Sequence, residues 1–388
     1  MVKRNSKREV NSIENSITFN YFFLLKFLVI ITICLIHHNF YELNFIYDNP
    51  FLNYIWVNGH SLVSIMFLMS GILFFYTSHK KISNNETNFS TFIFKKLKKF
   101  IPLALITTLF IYGMNFYYRD FISSGEDWIF ATTNPFDLII SIIFCGRTVF
   151  GETFINNGPL WFINVLLFCF LIAYPISKCK KNAPLLWVIM CIYGLAMLAY
   201  TYEGENIRIA YPFFNHFLGE GVFSFFFGVL IANLFSYMKK SNKVNLIAKL
   251  VSGLSVILIV ITAIFYPIKN DPDTWVSSYA WLTMFFYAPI LLLLFNIKPL
   301  EKLCGHKIIK HMGNMSFHIY AWNYPIAFCF YFPFGLLHHE EHLRFPDQLD
   351  SWWFLLIFLL IHLAIGILSY YLTNISEKKI RELKAITH

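Results

Sequence analysis

The sequence predicts an all-α protein: a polytopic membrane bundle of about ten transmembrane helices with both termini on the cytoplasmic side. Three observations carry this. Apolar residues make up 57% of the chain and charged residues only 14%, with a mean hydropathy of +0.55, whereas soluble chains carry roughly 25% charged residues. Apolar runs of about 19 to 25 residues, enough to cross a hydrocarbon core of about 30 Å, recur along the chain. The cations also alternate between successive loops.

In chain order, the predicted spans are 19–39, 58–77, 100–118, 158–177, 184–202, 213–237, 246–267, 275–296, 313–334 and 352–373. An eleventh apolar stretch, "FDLIISIIFC" at Phe136 to Cys145, has the length of an interfacial or re-entrant piece. If it does not cross, one set of loops and tails holds 25 of the 31 cations. The alternate loops hold Arg119, Arg147, Arg208, Lys269 and Arg344 with 15 of the 22 acidic residues. That is the positive-inside distribution for ten spans, and an eleventh crossing scrambles it. Residues 1–18 and 374–388 are then cytoplasmic tails, and 19–373 form one membrane domain.

The net charge of +9 is thereby a topology signal, and no nucleic-acid partner is implied. The N-terminus shows no short apolar run followed by a small-residue cleavage site, so the first span reads as a retained anchor. The seven cysteines are scattered without C-x-x-C spacing, which suggests neither a disulfide framework nor a metal site. No internal repeat or low-complexity tract is found.

The first span carries polar residues that need an explanation. In "LLKFLVIITICLIHHNF", Lys26 and His37 are 11 positions apart, within about 20° of three full helical turns, so they share one face about 16 Å apart along the axis. His38 points about 100° away. A lysine near a span end can snorkel and a lone histidine can be packing, but unpaired polar groups in a span are expensive and usually face a cavity or pathway.

The pair resembles the first span of acyltransferase family 3, bacterial membrane proteins that modify cell-surface glycans, in which an arginine and a histidine are separated by ten residues. Lys26 stands here for the arginine and His37 for the histidine. Four further stretches are similar in order: the Ser-Gly step of "SIMFLMSGILFF" (Ser64 to Phe75); "KKLKKFIP", with Lys96, Lys99 and Pro102 at the positions of two arginines and a proline; the Pro-Leu-Trp of "GPLWFINVLL" (Gly158 to Leu167); and "MGNMSFHIYAWNYPI" (Met312 to Ile326), like the late Gly-x-x-Ser-aromatic signature. The sequence departs from the family where three arginines are lysines, which lose the bidentate fork, and at Asn323, where the late signature usually has a histidine.

The resemblance implies an O-acyltransferase of the bacterial cytoplasmic membrane. It would move an acyl group, acetyl by preference, from cytoplasmic acyl-CoA such as acetyl-CoA to a hydroxyl of a glycan or lipid-linked saccharide acceptor, with membrane lipids as surroundings and no metal. Lys26, Lys96 and Lys99 are then candidates for holding the donor, whose phosphates call for cations. His37 is the candidate general base, with an acyl-imidazole as the alternative. Glu220, placed inside a span near its end, is the candidate to orient the base or bind the acceptor, followed by Glu152, Asn164, Asn215 and His216. His318 and His362 read as packing or hydrogen-bonding histidines, and Tyr54, Trp56 and Trp161 as aromatic-belt residues, with stacking on a sugar as the alternative for Trp161. Some relatives carry an extracytoplasmic hydrolase-like domain. The sequence reads as one membrane domain without such an addition, so a partner protein outside the membrane is expected as an alternative route to the acceptor. A glycan transporter or repeat-unit polymerase would show arginine-rich external loops, and a proton-coupled transporter several buried carboxylates.

Overall fold

A computed structural model of the chain describes residues 20–38, 61–121, 132–149, 157–200, 211–238, 250, 253–254, 257, 283–294, 298–335 and 352–386. Among these the molecule is all-α, with no strand. Its helices are α1 (Asn20–His38), α2 (Leu62–Phe74, continued by a π-helical turn Phe75–His79 and by Lys80–Ser83), α3 (Phe89–Phe121), α4 (Pro135–Ile142), α5 (Trp161–Lys178), α6 (Ala183–Tyr200), α7 (His216–Met238), α8 (Ala288–Leu294), α9 (Lys298–Cys304), α10 (Lys307–Gly335) and α11 (Trp352–Ile386). Seven of the described helical stretches are long and apolar enough to cross a membrane. They begin in α1, α2, α3, the turn before α5, the turn before α6, α7 and α11. The chain is therefore a multi-pass membrane bundle, and the expected spans 19–39 and 352–373 coincide with α1 and the first part of α11. The expected span 246–267 lies almost wholly outside the described residues, and 275–296 is described only from Thr283 to Leu294.

The short apolar stretch behaves as its length demands. It forms α4, only eight residues long, about 12 Å of helix against a core of about 30 Å. The Asn134 side chain caps its start by accepting from the Phe136 N–H at 3.0 Å, with Pro135 at the first helical position. Phe144, at φ 58°, turns the chain out of the helix. At the other end of the sequence, α11 runs unbroken past Thr373 to Ile386, so the charged segment placed outside the membrane domain is a continuation of that helix.

Packing is organised around two central helices. α7 packs on α2, α5 and α6, while α10 packs on α1, α3 and α11. Val222, Phe225, Phe226 and Val229 of α7 are fully buried, whereas α6 and α11 expose Leu185, Ile192, Trp353, Leu360 and Leu368, the arrangement expected where lipid replaces water. Lipid tails supply no hydrophobic drive between helices, so close backbone contact must hold them together. The Ser-Gly step of α2 serves this: a side chain on Gly71 would strike the backbone carbonyl of Phe225 on α7. The glycine of the late signature does the same, since a Cβ on Gly313 of α10 would meet the backbone of Phe23 on α1 at 2.5 Å.

Candidate functional site

His37 lies in the last turn of α1, half-buried against α10. Its Nδ1 meets the Nδ2 of the Asn323 carboxamide, and the Oδ1 of Asn323 is 3.2 Å from Nε2 of His362 on α11. The Nδ1–H of His362 donates to the Phe358 carbonyl at 2.9 Å. Asn323 and His362 are both wholly buried. The Tyr324 ring sits edge-on to His37, with centroids 5.1 Å apart.

A proline explains how this corner of α10 is held. Pro325 lacks an N–H, so the carbonyl of Ala321 four residues earlier has no helical donor. The side chain of Asn157 supplies one, its Nδ2 donating to that carbonyl at 2.9 Å. Beside it the Tyr320 hydroxyl donates to the Pro159 carbonyl. The 3₁₀ turn Gly158–Leu160 that opens α5 is thereby fastened to the stretch of α10 carrying Asn323 and Tyr324.

Glu220 is not the solvated helix-end residue that its position permits. It is 3% exposed, and the hydroxyl of Ser64 on α2, itself fully buried, donates to its Oε1 at 2.6 Å. This bond joins α7 to α2. Ser64 carried no signal of its own in the sequence.

The other acceptor-side candidates divide. Asn164 donates to the Gly146 carbonyl at 2.9 Å and Asn215 to the Arg147 carbonyl at 3.2 Å, while Asn215 Oδ1 caps α7 by accepting from the Leu218 N–H at 2.9 Å. Both asparagines thus hold the backbone after α4. His216 lies edge-on to Phe217. Glu152, Tyr54 and Trp56 fall outside the described residues. The loop so held presents Arg147, at φ 59°. Its guanidinium lies 4.5 Å over Phe217, which packs against Trp161 at 4.9 Å, and its charge reaches Tyr324.

The lysines gather at the far end of the same bundle. Lys96 and Lys99, with Lys81, Lys95 and the hydroxyl residues Thr77, Ser78 and Thr87, line an open cavity of about 280 Å³ between the end of α2 and α3. Among the described residues, no carboxylate lines it. Lys96 Nζ stands 4.4 Å over the Phe170 ring, a cation–π contact of about 0.5 to 2 kcal/mol that fixes the side chain inside the cavity. Lys26, on α1, does not line this cavity. Lys26 and His37 lie on the unbroken helix α1, where their 11-residue spacing puts them on one face. Lys98, next to these in sequence, does not line the cavity.

The structure therefore brings Lys96 and Lys99 together in one cavity, sets His37 against Asn323 of α10 and sets Glu220 against Ser64 of α2. His318 bonds Ser369 at 3.0 Å, a local contact between α10 and α11. His362, read from sequence as a packing or hydrogen-bonding histidine, is hydrogen-bonded, and its partner Asn323 is the residue that touches His37. Nothing in a lone histidine on an apolar helix signals such a contact, because it joins residues 39 positions apart.

A family model described as "Acyltransferase domain" matches residues 19–371 of the chain. No curated protein and no solved structure shows significant similarity to it.

Proposed function

The chain belongs to that acyltransferase family, which spans nearly its whole length, and on that premise we propose that it O-acylates a glycan. The donor is acyl-CoA, acetyl-CoA by the family's preference, bound from the cytoplasm. The acceptor is a hydroxyl of a cell-surface or lipid-linked saccharide, and the location is the bacterial cytoplasmic membrane. One observation carries the reading: a lysine-lined cavity with no carboxylate among its described lining residues at one end of the bundle, and a histidine held by hydrogen bonding at the other.

The division of labour follows from chemistry. Donor phosphates sit among Lys96 and Lys99, with Lys26 deeper on the same side, and the pantetheine arm runs along α1 towards His37. His37 takes the proton of the acceptor hydroxyl as its oxygen attacks the thioester carbonyl. The C–O bond forms, the C–S bond breaks, and the proton leaves with the coenzyme A thiolate. A neutral imidazole suits both halves of that exchange near neutral pH. Glu220, with Ser64, binds the acceptor or orients the groups around it. A partner protein outside the membrane is needed only if the acceptor cannot reach the bundle.

The test is the alkali-labile ester content of surface glycans, by mass spectrometry, in cells with and without the gene. The expected result is an acyl-sized mass that requires the gene and that His37→Ala abolishes, at unchanged protein level in the membrane. Loss of a general base typically lowers the rate by at least about a hundredfold. His38→Ala leaves substantial activity. Glycan that changes in length or amount, with its ester content intact, would replace this reading with transport or polymerisation.

A further inference from the structure

The chain His37–Asn323–His362–Phe358 restricts where protons can be. A carboxamide offers an oxygen that only accepts and an NH₂ that only donates, and it can face its neighbours either way round. The Phe358 carbonyl only accepts, so Nδ1 of His362 carries a proton.

Take first the NH₂ of Asn323 turned to His37, the way round in which the structure has it. Its oxygen then needs a donor from His362, whose Nε2 must also be protonated, and His362 becomes an imidazolium. That places a full charge on a wholly buried ring in a helix surrounded by lipid, where charges are expensive. With the amide turned round, its NH₂ donates to the lone pair on His362 Nε2, and His362 stays neutral. Its oxygen now faces Nδ1 of His37 and needs a proton there. Every group is satisfied without a charge.

We propose that Asn323, oriented by His362, is a positioning residue that holds His37 in its Nδ1–H tautomer, so that the basic lone pair is on Nε2. The proton taken up at Nε2 then leaves an imidazolium whose Nδ1–H is already bonded to the amide oxygen. Asparagine suits this position because its amide passes an orientation from one ring to the other without itself titrating. The inference rests on the proposed role of His37, but its central observable does not.

The experiment is ¹⁵N NMR of the full-length protein, labelled with ¹⁵N-histidine and reconstituted in lipid nanodiscs. The His37 signals are identified by their loss in His37→Ala, and the two-bond couplings to the ring protons tell which nitrogen is protonated. The expected result is Nδ1–H in the unmodified protein, retained in Asn323→Asp and lost in Asn323→Leu. Nε2–H in the unmodified protein would overturn the proposal without recourse to any variant, as would Nδ1–H retained in both Asn323→Leu and His362→Leu. In acyl transfer, Asn323→Leu should lower kcat by about tenfold or more with KM for acyl-CoA within about twofold, and Asn323→Asp should recover part of that loss. Equal kcat in all three proteins would also overturn it. If the unmodified protein transfers no acyl group, the proposed function fails, while the tautomer measurement stands or falls by itself.

Discussion

Individual residues divide here by what surrounds their polar atoms. Glu220 is nearly inaccessible and receives a hydrogen bond from Ser64, and a buried carboxyl needs such a bond because an unsatisfied polar group inside a protein costs about 1 to 3 kcal/mol. Lys96 and Lys99 stand at the other extreme, in an open cavity whose described lining holds hydroxyls and no carboxylate, a setting that suits an anion. Charge-assisted hydrogen bonds are worth about 1.5 to 3 kcal/mol each. The double substitution Lys96→Gln with Lys99→Gln should therefore raise the Kd for acyl-CoA by about tenfold or more, with expression and membrane insertion intact. Titration calorimetry in detergent measures it. Unchanged affinity at physiological salt would leave these lysines with a topological role alone.

Helices here are shaped by what interrupts them. The π-helical turn Phe75–His79 interrupts α2 at the cavity and places Thr77 and Ser78 on its wall, and π-turns inside α-helices are frequent at functional sites. Pro325 interrupts the hydrogen bonding of α10 beside Asn323, and Asn157 repairs it from a different part of the chain. Between elements the decisive feature is contact without side chains. Gly71→Leu should force α2 away from the Phe225 carbonyl, at about 1 to 3 kcal/mol for overpacking and more where backbone must move. A clear fall in Tm in detergent is the expected outcome. An unaltered Tm would mean that α2 and α7 do not pack as closely as the structure has them.

Across the whole molecule, charge sets orientation. The cations gather in alternate loops, so reporter fusions should place Asn84, Asn182 and Ser241 in the cytoplasm and Ser124, Glu205 and Asp350 outside. A cytoplasmic signal at Glu205 would contradict the ten-span topology. In that orientation the lysine cavity would face the cytoplasm, the side from which the proposed acyl-CoA donor would come.

The sequence by itself determined the membrane class, the helical architecture, the short non-crossing stretch at α4 and the shared face of Lys26 and His37. Each of these depends on composition, run length or helical period, which are local properties that need no knowledge of neighbours. The lysine spacing also showed that Lys96 and Lys99 lie one turn apart. Only the tertiary structure decided that Ser64 bonds Glu220 across 156 positions, that Asn323 joins His37 across 286, and that His362 stands behind it. A polar residue on an apolar helix reads identically whether it packs or serves a site. Which it does depends on the helix that arrives opposite, and in lipid that is settled by the close backbone contacts at glycines such as Gly71 and Gly313, after the helices have formed.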